Sequence, residues 1–235
     1  MQLFYSPELT NTNKTFMFSK EESKHIVRVL RKKEKDVLFV TNGKGFIFKC
    51  EINTANDKKC EVSIIETTLQ EPQKYNLHLA VAPTKMNDRY EWFLEKATEI
   101  GITEITPIIC DHSERKVIKT ERFEKILESA TKQSLSAYKP ILNNAIPLKN
   151  FIENTTTTTK FIAHCEETEK KSLKKELQPN KDYLILIGPE GDFSQKEIDL
   201  ALKHNFIPVT LGETRLRTET AAIVACHSVA FINEL

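Results

Sequence analysis

The stretch Tyr183-Leu184-Ile185-Leu186-Ile187-Gly188-Pro189-Glu190-Gly191-Asp192-Phe193-Ser194 decides the fold. Its first five residues are apolar without a break. A strand with one wet face would alternate, so this run predicts a parallel strand buried on both faces. Ser194 and Glu197 then form the Ser-x-x-Glu pattern of a capping box, opening a helix to about Asn205. A buried strand feeding a helix through a glycine-bearing loop is one unit of an α/β sheet.

Working outward, the same rhythm fills residues 75–235. Strands are predicted at Leu77–Ala82, Ile105–Cys110, Lys160–Ala163 and Ile207–Leu211. Helices are predicted at Asn87–Ile100, closed by Gly101, at Glu121–Ala137 and at Thr218–Asn233. Thr155–Thr159 reads as a surface loop. Residues 1–70 differ, with short strands at Leu3–Tyr5, Thr15–Phe18, Val37–Thr41, Phe46–Ile52 and Cys60–Glu66. Asn42-Gly43-Lys44-Gly45 predicts a hairpin between the third and fourth of these. Ser19-x-x-Glu22 opens one helix with Ile26, Val27, Val29 and Leu30 on its apolar side. Several short strands in so few residues suggest a small barrel. Residues 70–74 read as a linker, so the expected domains are 1–70 and 75–235.

Composition narrows the function. The 235 residues carry 34 basic and 33 acidic side chains, which excludes a uniformly basic surface. Within Lys24–Lys35, however, Lys24, His25, Arg28, Arg31, Lys32, Lys33 and Lys35 face Glu34 alone. Such a run fits a phosphate-binding patch, although from charge alone a solvated helix face is the simpler reading. The five cysteines are odd in number and widely spaced, arguing for reduced thiols in the cytoplasm and against a disulfide framework or a structural zinc. No run is long enough for a membrane helix, and the amino terminus lacks the pattern of a secretory leader. No membrane or metal partner is expected.

Ligands of open α/β sheets bind outside the carboxyl ends of the strands. Two such ends stand out: Gly188–Ser194, and Leu211-Gly212-Glu213-Thr214-Arg215-Leu216-Arg217-Thr218-Glu219-Thr220-Ala221. Three of only six glycines lie there, where backbone can approach a ligand closely. Turning a tight loop is an equally good use for them. No phosphate-binding P-loop, dinucleotide Gly-x-Gly-x-x-Gly or Gly-x-Ser-x-Gly elbow is present. Cys110-x-His112 and His164-Cys165 are too sparse for a metal site; packed thiols beside partnered histidines are the simpler expectation.

The paired motifs Gly188-Pro189-Glu190-Gly191 and Leu211-Gly212-x-x-x-Leu216-Arg217-Thr218-Glu219-Thr220-Ala221 resemble the carboxyl-terminal signature of the bacterial 16S rRNA uracil-N3 methyltransferases, the RsmE family of the SPOUT superfamily. His25-x-x-Arg28-Val29-Leu30-Arg31, Pro83-Thr84-Lys85 to Glu91, Lys96 to Gly101, Ser113-Glu114-Arg115, Gln133-Ser134 and His164 extend the resemblance along nearly the whole chain. The resemblance implies a PUA-like β-barrel, then a SPOUT α/β domain with a carboxyl-terminal trefoil knot. It implies a homodimer that uses S-adenosyl-L-methionine to methylate N3 of a uridine in 16S rRNA of the small ribosomal subunit. Another RNA position, such as a ribose 2′-O, and a non-catalytic ribosome-assembly protein are the alternatives.

By resemblance, the cofactor-binding residues are His164, Leu186, Ile187, Gly188, Glu190, Gly191, Leu211, Gly212, Leu216, Thr220 and Ala221. For Leu186, Leu211 and Ala221, core packing is an equal alternative. Arg217 is the catalytic candidate, because a guanidinium suits the charge that spreads over uracil when N3 loses its proton. Glu190 is the second candidate, to hold Arg217, to help take the proton, or simply to brace the loop. Arg28, Arg31, Lys32, Lys85, Arg89 and Arg115 are the RNA-binding candidates. Two departures stand out: the family's Gly-Arg after Gln133-Ser134 is Leu135-Ser136 here, and the second glycine of its Gly-Pro-Glu-Gly-Gly is Asp192. The carboxylate of Asp192 falls near a helix start, where it is well tolerated, and is not expected to disturb the cofactor.

Overall fold

The run Tyr183–Ile187 divides its side chains between two cores. Tyr183, Ile185 and Ile187 enter one, Leu184 and Leu186 the other, and all five are buried. That two-sided burial sets the strand at the heart of a sheet. The computed structural model describes residues 2–157 and 159–234, and Thr158, part of the expected Thr155–Thr159 loop, lies outside them. The chain forms two units. One runs to Pro72 and also takes in Thr131–Lys139; the other comprises Gln73–Ala130 and Pro140 onward.

The first unit contains β1 (Leu3–Tyr5), β2 (Thr15–Met17), α1 (Lys20–Lys24), a π-helical turn (His25–Val29), β3 (Val37–Thr41), β4 (Phe46–Thr54) and β5 (Glu61–Leu69). The strands form one sheet in the order β1-β3-β4-β5-β2, with β1 parallel to β3 and the other pairs antiparallel. Phe4, Ile26, Leu38, Val40, Phe48 and Val62 fill its core. Asn42 shapes the β3–β4 hairpin: its Oδ1 accepts from the backbone N–H groups of Lys44 and Phe46. Gly45 has φ +100, and a Cβ there would lie 2.5 Å from the Tyr138 hydroxyl oxygen. That crowding marks where residues 131–139 join this unit. Gly45 N–H donates to the Ala137 carbonyl and Lys139 N–H to the Gly43 carbonyl, each at 3.0 Å.

One expectation here is corrected. Val29 does not lie on the apolar side of the first helix; it is 67% exposed. The cause is the π-helical turn, in which Leu30 N–H reaches back five residues to the His25 carbonyl. The extra residue in the turn rotates Val29 outward, while Ile26 stays fully buried. The capping box forms by half: Ser19 Oγ accepts from Glu22 N–H, while the Glu22 carboxylate pairs with Lys132 at 3.3 Å.

The second unit contains β6 (Leu77–Val81), α2 (Asn87–Ile100), β7 (Glu104–Ile109), most of α3 (Thr120–Gln133), β8 (Ile141–Leu142), β9 (Ile146–Pro147), α4 (Leu148–Asn154), β10 (Lys160–Ala163), β11 (Lys171–Ser172), α5 (Leu173–Glu176), β12 (Tyr183–Ile187), α6 (Gln195–Lys203), β13 (Ile207–Thr210) and α7 (Thr218–Asn233). The sheet order is β11-β13-β10-β12-β6-β7-β8, with β9 also on β7, and its pairings are parallel. Residues from α2, α3 and α7 cover one face, and residues from α4 and α6 the other. Helix α2 shows the local logic. Tyr90, Phe93, Leu94 and Ala97 recur at helical spacing and are buried. Gly101 then stops the helix with φ +102.

Helix α3 ends at Gln133, four residues before the expected Ala137. Leu135 turns left-handed at φ +57, Ser136 N–H bonds back to the Thr131 carbonyl, and Leu135 N–H bonds to that of Lys132. This is a Schellman ending, whose left-handed position normally takes glycine. Leu135 is 40% exposed, so its side chain recovers little by packing. Leu135→Gly is therefore expected to raise the unfolding free energy, by about 1 kcal/mol from relieved backbone strain. Urea unfolding of both proteins checks this; an equal or lower midpoint for the glycine variant would contradict it.

Candidate functional site

Strands β13, β10 and β12 are neighbours, so the loops leaving their carboxyl ends converge. They enclose two adjoining clefts. One, of about 330 Å³, is lined by His164, Cys165, Lys170, Thr210, the loop 211–216 and Ala221. The other, of about 290 Å³, is lined by Ile187, Gly188, Pro189, Glu190, Asp192 and residues 215–218. Ala163, Cys165, Arg215, Leu216 and Ala221 border both.

Polar contacts hold these loops in place. The Thr218 hydroxyl donates to the Gly188 carbonyl at 3.0 Å, tying the start of α7 to the β12 loop. The Glu190 carboxylate accepts the Lys85 backbone N–H at 2.9 Å, tying the β12 loop to the one after β6. The capping box at Ser194 and Glu197 is complete. Glu197 also accepts the Asp111 N–H at 2.8 Å, and the Ser194 hydroxyl donates to the Asp111 carboxylate at 2.6 Å. Gly188 lets the Phe193 ring pack close, because a Cβ there would lie 3.0 Å from it and the ring would have to give. At Gly212, by contrast, an added Cβ would meet nothing within 4 Å, but its φ of +155 suits only glycine comfortably.

Most of the cofactor-binding and catalytic candidates line these clefts: His164, Ile187, Gly188, Glu190, Leu211, Gly212, Leu216, Arg217 and Ala221. Three do not. Leu186 is fully buried in the core beneath the sheet, so packing accounts for it. Gly191 backs onto His112, whose Cβ lies 3.1 Å from where a Gly191 Cβ would sit. Thr220 is half-buried on α7 without lining either cleft. Sequence reading quoted Cys165 and Arg215 without giving them a role, and missed Lys170 and Thr210. Only their neighbourhood to His164, Leu211 and Leu216 in the chain offered a signal.

His164 corrects another expectation. It is buried, 7% exposed, and neither ring nitrogen has a hydrogen-bond partner. Its neighbour Cys165 is exposed. The expected pairing of packed thiol and partnered histidine holds instead at Cys110 and His112. Cys110 is buried, and His112 Nδ1 lies 3.0 Å from the carbonyls of Gly191 and Asp192. Among the described residues no cluster of metal-ligating side chains occurs.

The candidate RNA-binding cations are not equally available. Arg115 donates to the carbonyls of Thr84 and Lys85 and staples the loop after β6. Lys85 pairs with Glu114 at 2.8 Å, and Arg89 lies 3.8 Å from the Glu219 carboxylate. Arg28 is paired with Asp57, whereas Arg31 is exposed and Lys32 half-buried. Among the described residues the Arg217 guanidinium, at the start of α7 and lining the second cleft, makes no hydrogen bond or ion pair.

A cleft at the carboxyl ends of a parallel sheet, walled by glycine loops, marks a ligand-binding α/β domain. Comparison with known proteins is consistent with that class. The sequence matches the family described as RNA methyltransferase domain over residues 71–230, and that described as RNA methyltransferase PUA domain over residues 18–65. The chain belongs to this RNA methyltransferase family. The ribosomal RNA small subunit methyltransferase E of Buchnera aphidicola subsp. Acyrthosiphon pisum is 30% identical, with 94% of this chain and 89% of that protein covered. Among solved structures, a protein described as a probable rRNA-methyltransferase from Porphyromonas gingivalis is 41% identical with a TM-score of 0.91, over 100% of this chain and 99% of that one. A ribosomal RNA small subunit methyltransferase E from Neisseria gonorrhoeae, bound to S-adenosyl methionine, is 26% identical with a TM-score of 0.86, over 99% and 98%.

One buried and one partly buried histidine, the first in the cleft wall, make folding stability depend on pH. Burial first, and the Lys170 charge second, lower the pKa of His164 below the ordinary 6.5. Burial likewise lowers that of His78 in β6, although Glu104 opposes it. Both rings stay neutral in the fold at pH values where the unfolded chain protonates them. The unfolded state then binds more protons, so stability is full above about pH 6.5 and falls as pH drops below it. Unfolding titrations between pH 8 and 5 should show this loss, and a His78→Gln, His164→Gln double variant should flatten it.

Proposed function

We propose that this chain is an S-adenosylmethionine-dependent methyltransferase that acts on N3 of a uridine in 16S rRNA. The observation that carries the reading is His164, a buried ring with two unpartnered nitrogens that lines a cleft between glycine loops. A buried polar group without a partner is costly, so the cleft is built to be filled by something that can hydrogen-bond. Its walls mix apolar side chains, such as Leu211, Leu216 and Ala221, with loop backbone. That donor and surface set fits a nucleoside joined to an amino acid. The cofactor-binding set is His164, Ile187, Gly188, Glu190, Leu211, Gly212, Leu216 and Ala221, with Leu186, Gly191 and Thr220 supporting the walls from behind.

When bound, S-adenosylmethionine supplies an electrophilic methyl group. The protein must supply the rest. Uracil N3 carries a proton on the Watson–Crick edge, so the target base has to be unpaired and splayed out. Loss of that proton places negative charge on the flanking carbonyl oxygens. Arg217, exposed, unpaired and lining the second cleft, stabilises that charge as it develops. Glu190 braces the loop, because its carboxylate is committed to the Lys85 N–H. Arg31 and Lys32 of the first unit contact RNA phosphates, and Arg28 adds to them against the pull of Asp57. Lys85, Arg89 and Arg115 act chiefly in shaping the loop after β6 and the start of α7.

The wider architecture in this reading is a PUA-like barrel over residues 1–70 and a SPOUT domain over 75–235. The chain path supports a carboxyl-terminal knot, because β12 joins β10 on one side before β13 is inserted between β10 and β11 on the other. The protein is a homodimer of the cytoplasm whose substrate is the rRNA of the small ribosomal subunit.

The decisive experiment offers labelled cofactor to purified small subunits and to naked 16S rRNA and identifies the methylated nucleoside. 3-Methyluridine is the expected product; a 2′-O-methyl product or none would overturn the reading. Arg217→Ala should lower turnover by about a hundredfold while cofactor affinity is kept, the usual cost of losing one donor at developing negative charge. Near wild-type turnover would remove Arg217 from its role. Removing Arg31 and Lys32 together should weaken RNA binding at every sequence and lower its salt slope by about 0.7 for each lost phosphate contact.

A further inference from the structure

Asp192 has a left-handed backbone, φ +62. Glycine adopts this conformation freely, and Asp is one of the few other residues that tolerate it. The side chain, however, does something no glycine can. Its Oδ2 accepts the Cys165 backbone N–H at 2.7 Å, and its Oδ1 accepts the Phe193 N–H at 2.9 Å. Cys165 lies two residues beyond Ala163, the last residue of β10 paired in the sheet. Its N–H is thus met by the loop after β12 rather than by a strand. On the other side, His112 holds the same loop, its Nδ1–H donating to the carbonyls of Gly191 and Asp192. The residues so joined are cleft wall: Cys165 borders both clefts and Asp192 the second.

We propose that Asp192 is a positioning residue whose carboxylate clasps the β12 loop to the end of β10 and holds the shared wall of the cofactor cleft in its binding shape. This goes beyond the expectation that a carboxylate at this place is well tolerated. It rests on the cleft being the cofactor site. The clasp touches the wall and not the reacting atoms, so it acts on cofactor affinity and leaves the methyl-transfer step alone. Charge-assisted bonds to backbone N–H groups are among the stronger hydrogen bonds, so its loss should be measurable.

The test compares wild type, Asp192→Gly and Asp192→Asn. The glycine variant keeps the left-handed turn and loses the clasp. It should bind S-adenosylmethionine about tenfold more weakly, raise the cofactor KM by the same factor, and leave kcat at saturating cofactor within about twofold. Its Tm should change little, because relief of the left-handed strain offsets the lost bonds. The asparagine variant keeps a side-chain oxygen for the Cys165 N–H and should hold affinity within about threefold. In the cofactor-free protein, hydrogen exchange at the Cys165 amide should be slow in wild type and the asparagine variant, and about tenfold faster in the glycine variant. Unchanged affinity or unchanged Cys165 exchange in Asp192→Gly overturns the clasp, as does an asparagine variant as weak as the glycine one. If wild type binds no S-adenosylmethionine, the cofactor reading fails, while the exchange comparison still decides whether the clasp exists.

Discussion

The two-sided burial of Tyr183–Ile187 is the constraint on which the rest depends. One tyrosine ring and four aliphatic side chains in extended conformation can be kept from water only between two layers of helices. That places β12 inside the sheet, with β10 on one side and β6 on the other. Once it is there, the chain must leave its carboxyl end through a short loop before α6. The loops after β10 and β13 emerge beside it, and the cleft forms where the three meet.

Backbone polarity then does the fine work. Loops this close to the core cannot satisfy every N–H and C=O with water, so side chains do it. Thr218 serves the Gly188 carbonyl, Glu190 the Lys85 N–H, His112 two carbonyls and Asp192 the Cys165 N–H. Against this background the bare ring of His164 is conspicuous. While those backbone groups are paired, this buried imidazole on the wall of the first cleft is bonded at neither nitrogen.

Two departures from the pattern of the resembled family fall at left-handed positions. Leu135 and Asp192 stand where that family has glycine, and both have positive φ. Their chemistry separates them. Leu135 brings no compensating bond to its helix end. Asp192 brings a carboxylate that two N–H groups occupy. The same backbone strain is therefore bare at one place and offset at the other.

Local pattern was enough for the elements whose cause is local. Helical spacing of Tyr90, Phe93, Leu94 and Ala97 with Gly101 behind them determined α2, and the unbroken run 183–187 determined a two-sided strand. The paired glycine motifs marked the loops that line the cleft. Where long-range contact decided, sequence fell short. Val29 turned outward because one π-helical turn shifted the register, and α3 ended early where residues 131–139 bond to the β3–β4 hairpin. Leu186 became core while Leu211 became cleft wall, a difference set by which face of which element each one meets. Arg115 and Glu190, both read as site residues, were committed to backbone groups far away in the chain. Periodicity and glycine placement report what a residue does to its neighbours in sequence. Only the folded sheet brings residues 85, 112, 165 and 192 within hydrogen-bonding reach of the loops, and that decided which charged groups are braces and which are free to act.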